Sequence, residues 1–163
     1  MTETEAPNIE EKSTIAKLPI LAALVALAGI ADAIFLTVHH YNAEPVPCGG
    51  PFDCEMVLSS PYSTLSGFVG NVPVIGDMPL SIFGAVAYFI AFCFAILAAF
   101  GDRRTWLLFG VQSTLMATFA CYLFYLQSVV IRAYCQWCLI SAGISTALFI
   151  IFIISIFVKR RLA

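Results

Sequence analysis

Four stretches of the chain are apolar almost without interruption: Leu18 to Val38, Ile82 to Phe100, Trp106 to Ile131 and Cys138 to Val158. A helix needs about 20 residues to cross a bilayer core, and each run meets that length. One charge, Asp32, falls inside them. None alternates with the two-residue period that a lipid-facing barrel strand imposes. The pattern predicts an all-α integral membrane protein, a bundle of four transmembrane helices. The first run is too long for a secretory signal and is expected to be retained.

The polar segments between the runs predict the orientation, because Lys and Arg near span ends resist translocation. With the N-terminus inside, the inner side holds Lys12, Lys17, Arg103, Arg104, Lys159, Arg160 and Arg161, and the outer side holds Arg132. Seven against one makes both termini cytoplasmic. Residues 1–17, with Glu3, Glu5, Glu10 and Glu11, are expected to form a tail. Residues 18–158 form the membrane domain, and 159–163 a basic end. Gly101 to Thr105 is a short turn, whereas the extracytoplasmic loop 39–80 between helices 1 and 2 is too long for mere connection. It has no Lys or Arg. Within it, Glu55 to Leu65 predicts a short helix broken at Pro61 and lying over the bundle mouth as a lid.

Composition sharpens this reading. Of 163 residues, 61% are hydrophobic and 11% charged, which excludes an ordinary soluble domain. The net charge of −2 gives no reason to expect nucleic acid as a partner. Six cysteines are the remaining anomaly. Cys48 and Cys54 lie in the outer loop, Cys135 and Cys138 form C-Q-W-C at the outer start of span four, and Cys93 and Cys121 lie inside spans two and three. The last two are expected to be small apolar filler.

A C-x-x-C at a helix N-terminus puts two sulfurs on one face within bridging reach, where unpaired N–H groups and the helix dipole favour a thiolate. Outside the membrane, such pairs can cycle through disulfides. Cys138, one turn deeper, faces the lipid side, and Cys135 faces the loop. Two electrons could pass from Cys48 and Cys54 to Cys135 and Cys138 and on to a lipid-soluble acceptor, most simply a quinone, by thiolate attack of Cys138 and resolution by Cys135. Asp32 is the candidate proton source, because an ionisable residue inside a span is costly. Thr118, Tyr122 and Tyr125 recur at helical spacing and, with Trp137, are candidates for holding the quinone.

Taken together, A-D-A-I-F-L-T-V-H-H, C-G-G-P-F-D-C-E-M-V-L-S-S-P-Y, S-I-F-G-A-V-A-Y and Y-C-Q-W-C resemble the vitamin K epoxide reductase family, including its bacterial quinone-reducing members. The resemblance implies a four-helix bundle around a quinone, ubiquinone or menaquinone, with Cys48 and Cys54 as shuttle pair, Cys135 as their internal partner and Cys138 next to the quinone. For a bacterial member it implies an inner-membrane enzyme that oxidises a disulfide-forming, thioredoxin-like protein. Many bacterial relatives carry a fused thioredoxin-like domain. Here the partner is expected to be a separate extracytoplasmic protein, and no metal is expected. The connection Ser66 to Met78 is longer than in bacterial relatives. Animal members carry Asn and Tyr where Leu80 and Ala142 stand here, so a plain quinone is expected ahead of vitamin K epoxide.

Blander readings use the same residues. Four thiolates can hold a structural zinc, and a permanent disulfide can brace the loop of a non-enzymatic polytopic protein. Asp32 can hydrogen-bond a neighbouring helix, and His39 and His40 can anchor at the interface.

Overall fold

The computed structural model describes residues 9–42, 44–66 and 78–161. In chain order the helices are α1 (Ile9–Asn42), α2 (Cys54–Leu58), α3 (Leu80–Ala99), α4 (Arg103–Tyr125) and α5 (Gln136–Arg161), with a 3-10 turn at Pro61–Ser63. Four segments are long and apolar enough to cross a membrane: Lys17–Asn42, Leu80–Ala99, Arg104–Ile131 and Gln136–Val158. One antiparallel bridge, Thr64 to Pro79, is the sole strand-like pairing among the described residues. The fold is an all-α, four-helix membrane bundle.

Helix α1 starts at Ile9, so the second half of the segment expected as a tail is helical. Residues 1–8 of that tail lie outside the described residues, as do 67–77 of the long connection. The two ends of the latter are held together, with Leu65 N–H donating to Met78 O at 3.2 Å beside the Thr64 bridge.

The long helices form a ring in which α1 lies between α3 and α5, and α4 closes the far side. Small residues set the closest approach, as bilayer packing favours. Ala22, Ala23, Ala26 and Ala33 of α1 are buried in one core with Tyr88, Ala91 and Ala95 of α3. At Gly29 a Cβ would stand 2.5 Å from the Tyr88 ring, so only glycine lets that ring lie flat against α1. Gly110 of α4 makes the equivalent close approach to the Phe152 ring of α5.

The α4 helix widens into a π-helical segment, Leu126–Ile131, and Arg132 then takes a left-handed conformation at φ 57°. Non-glycine residues are uncommon there, and π-turns concentrate at functional sites. The reversal delivers Ala133 to Cys135 to the start of α5. The same end of the bundle receives the outer loop, so the cysteine pairs lie at the end opposite Ile9 and Arg161.

Candidate active site

Local chemistry shapes the outer loop. Asp53 caps α2 by accepting the Met56 N–H at 3.0 Å, which places Cys54 at the first helical position. Three hydrogen bonds then tie this loop to the C-Q-W-C segment. Asp53 N–H donates to Tyr134 O at 3.0 Å, Trp137 Nε1–H to Pro47 O at 3.0 Å, and Gly49 N–H to the Gln136 side-chain oxygen at 3.4 Å. Cys48 and Cys54 are joined in a disulfide with Cα atoms 6.2 Å apart, within the ordinary range. Cys135 and Cys138 are free thiols.

Cys54 and Cys135, both almost wholly buried, share one packed cluster with Val57 and Ala133, and Cys48, Trp137 and Cys138 pack against it. Cys135 stands one residue before α5 and caps it: its Sγ accepts the N–H of Cys138 at 3.4 Å. A hydrogen bond from the Cys138 thiol, helped by the backbone N–H groups of Cys138 and Trp137, holds the Cys135 thiol below its ordinary range against the opposing effects of burial and the Asp32 charge. The sign is therefore toward thiolate at lower pH. Ultraviolet thiolate absorbance of the reduced protein is expected to rise with a midpoint below that of an unperturbed thiol. Cys135→Ser is expected to remove that transition; a wild-type midpoint at or above the usual value would show that the cap does not act.

Beneath this cluster lies a cavity of about 380 Å³, within the size range of small-molecule sites. Its roof is the lid, with Val57, Leu58, Ser60, Tyr62 and Ser63. Cys138 forms part of its wall, while Cys135 does not. The floor is polar: Tyr88 donates its hydroxyl proton to Ser141 O at 2.7 Å and meets the hydroxyls of Ser141 and Ser145 at 2.9 and 2.8 Å. Phe83, Leu115 and Phe119 line the cavity and are also exposed, so it opens sideways between α3 and α4. In a bilayer that opening faces lipid.

The four cysteines are thus brought together, with Cys138 at the cavity. Asp32 is buried, and among the described residues its carboxylate oxygens are the enclosed side-chain atoms without a hydrogen-bond partner. It lies within electrostatic reach of Tyr88, Cys135 and Cys138. The residues expected to hold a quinone lie elsewhere. Thr118, Tyr122 and Tyr125 are exposed on α4, outside the cavity wall. The helix presents Gln112, Leu115, Met116, Phe119, Ala120 and Leu123 instead. Trp137 braces the loop, packing on Phe35 at 4.4 Å between ring centroids. His40 lines the cavity, whereas the His39 ring bonds Phe35 O at 3.0 Å. Cys121 is exposed on its span, not packed inside.

Among the described residues no group of three or more metal-ligating side chains converges. Two cysteine pairs packed together above a lipid-facing cavity fit a membrane oxidoreductase that works through cysteines. The particular family follows from the sequence: residues 20–153 match the model of the Vitamin K epoxide reductase family, and the chain belongs to it. No match to an individual curated protein is found.

Proposed function

We propose that this protein takes electrons from an extracytoplasmic thioredoxin-like dithiol and delivers them to a membrane quinone, supporting disulfide formation outside the cytoplasm. The observation that carries this is the placement of the two cysteine pairs: Cys54 and Cys135 are packed in one buried cluster, and only Cys138 of the inner pair stands on the cavity wall. The donor dithiol first reduces the outer disulfide. Cys54 then attacks Cys135 Sγ of an oxidised inner pair, the Cys135 to Cys138 bond breaks, and Cys48 closes on Cys54. The inner dithiol passes its electron pair to the acceptor and closes again, and two protons complete the hydroquinone.

Membership in the family brings a quinone-type acceptor and thioredoxin-like partners as the expected chemistry, and the lipid-side opening between α3 and α4 suits an acceptor that arrives from the bilayer. Leu80 and Ala142, where animal relatives carry polar residues, both line the cavity. Their apolar side chains favour a plain ubiquinone or menaquinone over an epoxide. The excess of Lys and Arg on the opposite end supports cytoplasmic termini and an extracytoplasmic site in a bacterial inner membrane.

Asp32 is assigned the proton source. Placing a carboxyl group inside a span costs about 2.5 to 3.5 kcal/mol at its centre, which an inert bundle has no reason to bear. Asp32→Asn is expected to slow acceptor reduction about tenfold or more while thiol exchange with the donor protein proceeds normally. Unchanged turnover would make the side chain structural. The reading as a whole is tested by mixing the reduced, detergent-solubilised protein anaerobically with a short-chain ubiquinone or menaquinone analogue. Stoichiometric hydroquinone with closure of Cys135 to Cys138 is expected; an analogue left oxidised would refute it.

A further inference from the structure

Gln127 has no counterpart in the four-cysteine scheme, yet it occupies the junction between that scheme and the cavity. It lies in the π-helical segment of α4, is 3% exposed, and lines the cavity together with Cys138. Its side-chain carbonyl accepts the Cys135 N–H at 3.1 Å. Because that N–H can only donate, the bond fixes which way the amide lies. The other end of the amide carries two N–H donors, and among the described residues no protein acceptor meets them. Nor are they sealed in, since the enclosed and unpartnered side-chain atoms are those of Asp32. They are the free end of a side chain that lines the cavity.

A buried amide with free donors is costly unless a bound molecule accepts from them. We infer that Gln127 is a positioning and substrate-recognition residue: its N–H2 donates to a carbonyl oxygen of the acceptor bound beside Cys138, while its carbonyl holds Cys135 in register for closing the disulfide. The inference rests on the quinone reading and adds the group that orients the ring. One side chain then senses both partners of the electron transfer. A quinone whose oxygen bonds Gln127 is held against the Cys138 wall, and the Cys135 backbone is fixed by the opposite end of the same amide. The hydrogen bond also strengthens as negative charge grows on that oxygen during reduction, so it favours the transition state beyond mere binding.

The test uses the full-length detergent-solubilised protein with a short-chain ubiquinone analogue and dithiothreitol as reductant. Gln127→Met keeps the length of the side chain and removes both functions; Gln127→Asn keeps the amide one methylene short. Gln127→Met is expected to lower kcat/KM for the analogue about 10- to 100-fold, and to alter the thiolate titration of Cys135 measured without quinone. Gln127→Asn is expected to recover part of the first loss. Retention of the Cys48 to Cys54 disulfide and of helical circular dichroism shows that both variants fold. A Gln127→Met protein with wild-type kcat/KM overturns this inference and leaves the quinone reading standing. So does a loss that Gln127→Asn fails to relieve at all. A wild-type protein unable to reduce the analogue overturns the quinone reading, and this inference falls with it.

Discussion

Cys138→Ala is expected to abolish reduction of the cavity acceptor while the protein remains folded and its outer disulfide intact. The loss should be complete within detection, because the scheme has one sulfur that lines the cavity and the variant removes it. Stability should change little: Cys138 is half-buried, and removing one sulfur from a partly exposed position costs about 1 kcal/mol. Thiol exchange should persist at the loop, since Cys48 and Cys54 are untouched, and Cys135 keeps its place as the cap of α5. The measurement is anaerobic hydroquinone formation, set beside thermal unfolding of the same preparation. A brace rather than a relay predicts the reverse, lowered stability with activity retained. Residual acceptor reduction above a few per cent of wild type would show that electrons leave by another sulfur.

What the sequence announces and what it hides divide along a physical line. Four apolar runs and a C-x-x-C at the start of one of them are one-dimensional signals, because span length and helix-terminal spacing need no neighbour to be read. The cavity wall is different. In water a helix buries its apolar face, so periodicity reveals which side is inside; in lipid both faces are apolar and that contrast vanishes. Thr118, Tyr122 and Tyr125 therefore read as an inward polar stripe but lie on the exposed side of α4, while Leu115, Met116 and Phe119 form the wall. Tyr88 stands at the end of S-I-F-G-A-V-A-Y, where nothing local marks it as a cavity floor. Its role comes from Gly29 on α1, which makes room for the ring, and from Ser141 and Ser145 on α5, which hold its hydroxyl. Gln127 did carry a signal. An amide within an otherwise apolar span is expensive, the same argument that singles out Asp32. Its partner, the Cys135 N–H, becomes visible only once the π-turn and the left-handed Arg132 bring the two together.

Cys48→Ala carries the other large effect, because it should stop the relay at a named covalent state. In the wild type, Cys54 attacks Cys135 Sγ, and Cys48 then attacks Cys54 to expel the Cys135 thiolate. Without Cys48 the first bond still forms and the second step has no nucleophile. The packing of Cys54 and Cys135 in one buried cluster favours that bond, and the capped Cys135 is a good leaving group only for the second step, which this variant lacks. The Cys54 to Cys135 disulfide is therefore expected to accumulate as the major species after reaction with an oxidised inner pair, detectable as a linked peptide by mass spectrometry of a non-reduced digest. Turnover with a donor dithiol should fall by several orders of magnitude, and a strong reductant should release the trap. The mirror variant separates the roles: in Cys54→Ala, Cys48 remains on the half-buried outer side of the cluster and should form little bond to Cys135. If the linked peptide instead joins Cys48 to Cys135 in the Cys54→Ala protein, and none appears in Cys48→Ala, the two loop cysteines exchange roles and the donor protein meets Cys54 first.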